Sequence, residues 1–416
     1  MQLKRVVVTG VGALTPIGNT ADEYWQALIN GVSGAAPITR FDASKFKTQF
    51  ACEVKGFKPE DHFERKEGRK LDLYSKYAVV ASNEAIADAG LNENTVDLGR
   101  VGVVWGSGIG GLETFRDEVG AFVRGDGTPR FNPFFIPKMI ADIASGHISI
   151  NHGFRGPNFT TVSACASSTN AIADAFNYIR LGKATAIVTG GSEAAVNEPG
   201  VGGFNALHAL STRNDSPETA SRPFDLDRNG FVLGEGAGAL VLEEYEHAKA
   251  RGAKIYAEMT GSGLSGDAHH ITAPHPEGLG AMAVMKDALA DNDMQPDEID
   301  YINVHGTSTP LGDLAECKAI LEVFGESAYK LNISSTKSMT GHLLGATGVI
   351  EAIACILAVK HDIVPPTINH FTDDPAFDPK LNFTFNKAEK REVRAALSNT
   401  FGFGGHNASV VFRKID

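Results

Sequence analysis

The segment around Cys165 contains the strongest candidate for a nucleophile in this chain. Residues 160–169 read Thr-Thr-Val-Ser-Ala-Cys-Ala-Ser-Ser-Thr. The β-branched and small residues predict a buried strand, and apolar residues at helical spacing over 170–182 predict a helix after it. A thiol at that turn meets free N–H groups and the positive end of the helix dipole. Such sites lower a thiol pKa to roughly 3.5–7.5 and favour the thiolate. Taken alone, Cys165 is better explained as a small apolar core residue.

Polar side chains in a second part of the chain could complete a cysteine site. His305 stands in Val-His-Gly-Thr-Ser-Thr-Pro, directly after an apolar strand, and Lys337 and His342 lie in a run of small residues. Glu351 follows on a helix that is apolar nearly all round, which indicates burial. A buried carboxylate needs a partner, and Lys337 is the natural candidate.

Two further patterns suggest other ligands. Residues 106–111 read Gly-Ser-Gly-Ile-Gly-Gly, the glycine spacing of dinucleotide sites, but the acid at the required distance, Asp126, falls in a predicted turn. His269, His270 and His275 raise the possibility of a metal site. They lie in a Pro-containing loop without cysteine partners, which argues against one.

Charge and cysteine usage limit the function classes. The 416 residues carry a net charge of −12, which argues against general nucleic-acid binding. The four cysteines form no CxxC pair, as is typical of a reducing cytosol. The apolar run at the N-terminus is too short for a signal peptide, and no window approaches 18 uninterrupted apolar residues. These features predict a cytoplasmic protein without membrane insertion.

The elements that would position these side chains form two corresponding series. Predicted strands are 5–9, 100–105, 160–164, 186–191, 255–260, 301–304, 331–335 and 394–399, with two more around a glycine-rich turn in 231–243. Residues 9–12 match 260–263, 103–107 resemble 303–307, and 161–165 resemble 333–337. This order predicts an internal duplication of about 150–250 residues per copy. Strands alternating with helices predict mostly parallel sheets, whose sites gather at the carboxyl ends of strands.

The motifs in combination resemble a known family. Ser-Ala-Cys-Ala-Ser at Cys165, His-Gly-Thr-Ser-Thr at His305, Lys-Ser-Met-Thr-Gly-His from Lys337 and Phe-Gly-Phe-Gly-Gly at 401–405 resemble the β-ketoacyl-acyl-carrier-protein synthases. These are thiolase-like condensing enzymes, and the likeness to the synthase II type covers essentially the whole chain. It implies an α/β, thiolase-like duplicated fold, five-layered αβαβα with two mixed, mostly parallel sheets. It also implies a homodimer.

The resemblance implies two halves and a reaction. Residues 1–252 would be the N-terminal ketoacyl synthase half carrying the nucleophilic Cys. Residues 253–416 would be the C-terminal half carrying the two His and the Lys. The reaction would be the decarboxylative Claisen condensation of malonyl-acyl carrier protein with an enzyme-bound acyl thioester. It elongates fatty acids by two carbons, and the enzyme is an acyltransferase.

The resemblance also implies residue roles. Cys165 would accept the acyl chain, His305 and His342 would bind the malonyl thioester and promote its decarboxylation, and Lys337 and Glu351 would support the site electrostatically. Backbone N–H groups of Cys165 and Phe403 would form the oxyanion hole, and Phe403 would gate the acyl pocket. The implied substrate contacts are Ile109, Phe134, Thr307, Thr309, Phe401 and Gly402.

Partners and cofactors are implied in the same way. The basic cluster of Arg65, Lys66, Arg69 and Lys70 reads as a solvated helix face, but this family tends to dock its acidic carrier protein there. No cofactor is required, since phosphopantetheine arrives on the acyl carrier protein. Some relatives hold a structural monovalent or divalent cation, and Asn303, Glu351, Ser398 and Asn399 match that region.

Other activities share parts of this set. A polyketide ketosynthase has the whole constellation. A biosynthetic thiolase uses a second, C-terminal cysteine, and no cysteine follows Cys355. A non-condensing, papain-like cysteine hydrolase would lack the motif of Lys337 and His342, and a catalytically silent partner subunit would lack Cys165.

Overall fold

A ten-stranded mixed sheet forms the framework of the computed structural model, which describes residues 3–415. Two small two-stranded sheets accompany it. In chain order the strands are β1 (Val6–Leu14), β2 (Ala36–Pro37), β3 (Phe50–Ala51), β4 (Val101–Gly106), β5 (Asn158–Thr161), β6 (Ala186–Glu193), β7 (Gly236–Glu244), β8 (Ala257–Gly266), β9 (Tyr301–Asn303), β10 (Asn332–Ser334), β11 (Ile363–Val364), β12 (Glu389–Lys390), β13 (Ala395–Gly402) and β14 (His406–Arg413).

The helices cover both faces of this sheet and fill the space between its halves. They are α1 (Ala21–Ile29), α2 (Arg65–Gly68), α3 (Leu73–Ala89), α4 (Leu112–Arg124), α5 (Phe135–Met139), α6 (Ile143–His152), α7 (Ser167–Arg180), α8 (Glu198–Ala206), α9 (Tyr245–Ala250), α10 (Leu279–Ala290), α11 (Pro310–Phe324), α12 (Lys337–Thr340) and α13 (Thr347–His361). The predicted boundary between residues 252 and 253 falls in the connection between α9 and β8.

The strand order confirms the internal duplication. One half of the sheet runs β5-β4-β6-β7-β1 and the other runs β10-β9-β13-β14-β8, so each strand has a counterpart at the same place. The two halves join where β1 pairs with β8, at Val6–Val8. Helices α7 and α13 pack between the halves, α3 covers the outer face of one half and α10 covers the outer face of the other. These are the five αβαβα layers that the family resemblance implies.

Paired glycines explain why the outer helices lie so close to the sheet. A Cβ atom on Gly10 or Gly12 would stand 2.1 Å from a backbone carbonyl oxygen of α3. A Cβ atom on Gly261 or Gly263 would stand 2.1 Å from a carbonyl oxygen of α10. Each pair sits in a matched segment of the duplicated sequence. The matching motifs therefore encode the same backbone-to-backbone helix contact in both halves.

The pairing of the strands differs from the prediction of two mostly parallel sheets. Four neighbouring pairs are parallel and five are antiparallel, and the β1–β8 contact makes one continuous sheet. One antiparallel pair, β13–β14, is joined by a short turn, which antiparallel pairing permits. The segment 231–243 holds a single strand, β7, and not two. Strand β5 is half exposed, because it lies at an edge of the sheet.

The central helix has an unusual composition for its position in a folded domain. The stretch Leu344–His361 is long and apolar enough to cross a membrane by length and composition. However, 89% of it is buried inside the protein. It contacts strands of both halves of the sheet, so every face of α13 meets protein.

Candidate active site

A tight turn presents Cys165 at the start of α7. Strand β5 ends at Thr161, a 3₁₀ turn spans Ala164–Ala166, and α7 begins at Ser167. The Ser167 hydroxyl donates to the Ala164 carbonyl at 2.6 Å and accepts the Ser163 N–H at 3.0 Å. This strand–turn–helix is the arrangement that the sequence predicts, although the strand stops earlier than expected.

His342 lies in direct contact with the thiol. Its Nε2 is 3.1 Å from Cys165 Sγ, and its Nδ1 is 2.9 Å from the Thr347 hydroxyl oxygen. A hydroxyl can either donate or accept. The imidazole can therefore exchange tautomers without losing its contact to Thr347. His305 packs edge-to-face on His342, with ring centroids 5.4 Å apart. Three residues that are far apart in sequence thus meet at one point.

Burial determines the protonation states of Cys165, His305 and His342. It raises the pKa of Cys165 to about 12, although Lys337 and the backbone amides of Phe403 and Cys165 oppose the rise. The expectation of a thiol pKa lowered to roughly 3.5–7.5 was therefore wrong, because loss of solvent outweighs the turn and the helix terminus. Burial, and secondly Lys337, lower the pKa of His305 and of His342 well below the usual value. Both imidazoles are neutral near pH 7.

Lys337 is the partner that the buried carboxylate of Glu351 requires. Lys337 Nζ and Glu351 Oε1 are 2.5 Å apart, and the side chains are 2% and 1% exposed. Burial raises the pKa of Glu351, and the lysine opposes that rise. Helix α13 carries Glu351 in the middle layer, where the carboxylate places one ammonium group beside the thiol and the two imidazoles.

The β13–β14 hairpin closes over the thiol. A Cβ atom on Gly402 would stand 2.8 Å from the Ser163 carbonyl oxygen and 3.1 Å from the Cys165 nitrogen, so only glycine fits against this turn. Gly404 and Gly405 have φ values of 87° and 75°, which glycine adopts without strain. This backbone lets the Phe403 amide reach the Cys165 sulfur.

The thiol and both imidazoles line a cavity of about 450 Å³. Its wall also contains predicted substrate contacts, namely Thr307, Thr309, Phe401, Gly402 and Phe403. Ile109 and Phe134, predicted to shape the acyl pocket, do not line this cavity. They are 39% and 42% exposed on the surface of the single chain. Their role in an acyl pocket stays a prediction.

Two family models match this chain and show which family it belongs to. A model described as "Beta-ketoacyl synthase, N-terminal domain" matches residues 3–248, and one described as "Beta-ketoacyl synthase, C-terminal domain" matches residues 256–371. The chain belongs to the β-ketoacyl synthase family. The predicted family and enzyme class, a condensing acyltransferase, are thereby confirmed.

Individual relatives extend this comparison over the full chain. The "3-oxoacyl-[acyl-carrier-protein] synthase 2" of Staphylococcus aureus (strain COL) is 51% identical over 417 residues, covering 100% of this chain and 99% of the relative. A β-ketoacyl synthase structure from Burkholderia phymatum STM815 is 39% identical with a TM-score of 0.92, covering 99% of this chain and 100% of that one. A type II PKS ketosynthase, solved in complex with its acyl-carrier protein and bound to the hexaketide, is 33% identical with a TM-score of 0.89, covering 100% of both chains.

Two residues of this β-ketoacyl synthase site were missed by the sequence analysis. Glu316 of α11 is fully buried and accepts the N–H groups of His305 and Gly306, each at 2.8 Å, so it fixes the backbone that carries the imidazole. Phe231 packs edge-to-face on His342 at 5.2 Å. The sequence signal for Glu316 is its place among the apolar residues of α11, which indicates a buried carboxylate.

The competing ligand hypotheses find no support in the site. The glycine turn 106–111 wraps around the carboxylate of Glu193, as detailed below, and not around an open phosphate site. No group of three or more His, Cys, Asp or Glu in residues 3–415 could hold a metal ion. In the histidine loop, the His270 Nδ1 accepts backbone N–H groups of Thr272 and Ala273.

The basic cluster lies on the surface around α2. Arg65, Lys66 and Arg69 are exposed, while Lys70 is half-buried and pairs with Glu67 at 2.9 Å. Three positive charges therefore face solvent on one short helix and the turn after it.

Unpartnered oxygens mark the region where a cation was expected. Asn303 Oδ1, Glu351 Oε2 and Ser398 Oγ are buried and have no hydrogen-bond partner in the described chain. Asn399 differs, because its Oδ1 accepts the Ser409 hydroxyl at 2.6 Å. Three of the four predicted residues thus offer a free oxygen of the type that hard cations prefer.

Proposed function

We propose that this chain elongates acyl chains by two carbons, through decarboxylative condensation of malonyl-acyl carrier protein with an acyl thioester on Cys165. The observation that carries the proposal is the contact of the Cys165 thiol with His342, beside His305, in a cavity large enough for an acyl and pantetheine arm. The name of the relative from Staphylococcus aureus, a 3-oxoacyl-[acyl-carrier-protein] synthase 2, supports fatty-acid elongation. The product is a 3-oxoacyl thioester on the carrier.

Acyl transfer begins with the Cys165–His342 pair. Neutral His342 takes the thiol proton at Nε2 as sulfur attacks the carbonyl carbon of the carrier-borne acyl thioester. The amides of Cys165 and Phe403 receive the oxyanion, each worth about 2.7–4 kcal/mol in the transition state. The tetrahedral intermediate collapses, the C–S bond to the carrier breaks, and the leaving thiolate takes the proton from His342.

Decarboxylation uses both imidazoles as neutral donors. His305 and His342 donate Nε2–H bonds to the thioester oxygen of the malonyl group as the C–C bond to CO₂ breaks. The electron pair left behind forms an enolate, whose carbon attacks the carbonyl carbon of the acyl-Cys165 thioester. The Cys165–acyl C–S bond then breaks, and the thiolate takes a proton from solvent water to restore the resting thiol. Lys337 supplies the positive potential that opposes ionisation of the histidines.

The remaining predicted contacts serve substrate delivery in this proposal. Thr307 and Thr309 line the cavity with their hydroxyl oxygens 3.0 Å apart, so they suit the amides of a phosphopantetheine arm. The Phe403 side chain lines the same cavity and gates the acyl end. The exposed cluster of Arg65, Lys66 and Arg69 docks the acidic carrier protein.

A homodimer is part of this proposal. Strand β5 is an edge strand whose outer side has no partner within the described chain. Val162, directly after β5, is 62% exposed, and a second copy covering this edge would bury it. Ile136, Ile109 and Phe134 are further apolar side chains that the single chain leaves exposed. The dimer is tested by native mass measurement.

A cation site and a cytoplasmic location complete the proposal. Asn303, Glu351 and Ser398 would hold a structural cation through their free oxygens, and Asn399 would brace them. Such an ion would add positive charge beside Lys337 and stabilise the Glu351 carboxylate. The four cysteines are all free thiols, which suits a reducing cytoplasm.

Polyketide synthesis is the second candidate, because a type II PKS ketosynthase shares the fold over the full chain. One experiment separates the two. The enzyme is incubated with malonyl-carrier and a ladder of acyl-carriers, and the products are measured by mass. Fatty-acid elongation gives a single two-carbon extension with one keto group. Repeated unreduced extensions would assign the polyketide reaction, and free acids without extension would refute condensation.

A further inference from the structure

Glu193, at the end of β6, is a buried carboxylate that the condensation steps above do not use. It is fully buried, and no Lys, Arg or His of residues 3–415 forms an ion pair with it. Its charge is met by backbone instead. Oε2 accepts N–H groups of Gly108 at 2.8 Å and Gly345 at 3.0 Å. Oε1 accepts those of Ile109 at 3.1 Å and Gly110 at 3.3 Å, and a hydroxyl from the same turn.

These contacts join the loop that follows His342 to a turn that lies against the backbone next to Cys165. Gly345 lies three residues after His342, and Gly108 lies in the turn after β4 in the other half of the chain. A Cβ atom on Gly345 would stand 2.3 Å from the Gly108 nitrogen and 2.7 Å from Glu193 Oε2. A Cβ atom on Gly108 would stand 3.3 Å from the Ala164 carbonyl oxygen, next to Cys165. The carboxylate therefore lies between the cysteine turn and the histidine loop.

The duplication shows that this position has diverged in function. Val103 pairs with Val188 across β4 and β6, and its sequence counterpart Asn303 pairs with Ser398 across β9 and β13. Five residues beyond these partners stand Glu193 in one half and Phe403 in the other. Both residues thus stand at the carboxyl ends of corresponding strands. Phe403, directly after β13, lines the substrate cavity, whereas Glu193, the last residue of β6, is an internal carboxylate.

We propose that Glu193 is a positioning residue of the condensation reaction, whose carboxylate fastens the loop of His342 to the turn after β4 and so holds the imidazole at Cys165. The proposal rests on the condensing function proposed above. It also explains the glycine pattern of residues 106–111, which resembles a phosphate-binding turn. The anion that this turn binds is the carboxylate of Glu193 itself.

Two substitutions distinguish the effect of the negative charge of Glu193 from the effect of its side-chain length. Glu193→Gln keeps one acceptor oxygen but turns an NH₂ group towards either the Gly345 and Gly108 N–H groups or those of the turn. Glu193→Asp keeps the charge but is one methylene shorter, so it cannot span both loops. Glu243→Gln is the matched control, since Glu243 is equally buried but bonds to Thr9, His247 and Arg251. Each variant is compared after measuring its thermal unfolding and folded fraction.

The expected result is a fall in kcat of about tenfold to hundredfold in both Glu193 variants, with KM for carrier substrates within about twofold of the wild type. Alkylation of Cys165 by iodoacetamide, followed against pH, gives a readout independent of condensation. The pH midpoint of the alkylation rate falls in Glu193→Gln, because a negative charge near the sulfur is lost, and is unchanged in Glu193→Asp. The control shows neither effect.

A kcat for folded Glu193→Asp within twofold of the wild type would overturn the proposal, as would an equal loss in Glu243→Gln. Failure of the condensing function is a different result, because then the wild type itself forms no 3-oxoacyl product.

Discussion

Replacement of His342 by alanine gives the sharpest test of how Cys165 is activated. Burial raises the pKa of this thiol to about 12, so only about one molecule in 10⁵ is a thiolate at pH 7. At the ordinary value of 9.0 the fraction would be about one in 100. Burial thus lowers the thiolate fraction about 1000-fold, which corresponds to about 4 kcal/mol. His342 Nε2, 3.1 Å from the sulfur, compensates for the low thiolate fraction because it takes the thiol proton during attack.

We expect His342→Ala to slow acyl transfer to Cys165 by about 10³-fold at pH 7, within the range of general-base catalysis. The assay is single-turnover acylation from an acyl-carrier, read as the mass gain of the protein. Between pH 7 and 10 the variant should gain about tenfold per pH unit, because its rate follows the thiolate fraction. The wild type should be flatter, because the pKa of His342 lies well below this window and the base is already neutral.

Thr347→Val is the matched control for this prediction. It removes the hydroxyl at His342 Nδ1 but leaves the imidazole at the sulfur. One hydrogen bond of about 0.5–1.5 kcal/mol predicts a loss of roughly twofold to twelvefold. If His342→Ala acylates within tenfold of the wild type, or if its rate is flat with pH, then Cys165 ionises without this base and the reasoning fails.

Three other substitutions test the rest of the site. Cys165→Ala should abolish elongation but retain some malonyl decarboxylation, measured as CO₂ release, because both imidazoles remain; elongation at the normal rate would remove Cys165 as the nucleophile. His305→Ala should reduce decarboxylation by about 10²-fold or more while acyl transfer falls less, because of the two histidines only His342 contacts the thiol. Equal losses in both steps would refute the assignment of His305 to decarboxylation alone. Lys66→Glu combined with Arg69→Glu should raise KM for carrier-borne substrate severalfold and leave KM for a small thioester analogue unchanged. An unchanged KM for the carrier-borne substrate would show that these charges do not dock the carrier protein.

The sequence was sufficient for the placement of the central residues. Cys165, His305 and Lys337 each follow a predicted strand, and the duplication places such strand ends together. The pairing of Lys337 with Glu351 followed from a helix without a polar face. These inferences depend on local pattern and topology, which a single sequence carries.

Other properties depend on packing that no local pattern records. The thiol pKa was predicted in the wrong direction, because burial of Cys165 comes from the β13–β14 hairpin, more than 200 residues away. The family resemblance implies that Ile109 and Phe134 contact the acyl chain, and both side chains are exposed in the single chain. Glu193 could not be found from the glycine turn at 106–111, because that pattern predicts an external anion and the carboxylate it binds is about 85 residues away in sequence.

The neutrality of the two histidines has a consequence for the chemistry of decarboxylation. A cationic imidazole beside the malonyl group would pair with its carboxylate and stabilise the very charge that must leave as CO₂. Neutral N–H donors bind the thioester oxygen more tightly as negative charge moves onto it, so their stabilisation grows towards the transition state. Burial and Lys337 keep His305 and His342 in that neutral form. The buried Lys337–Glu351 pair therefore acts on the reaction through the protonation of the imidazoles, which is why replacing Lys337 should shift the pH dependence of decarboxylation upward.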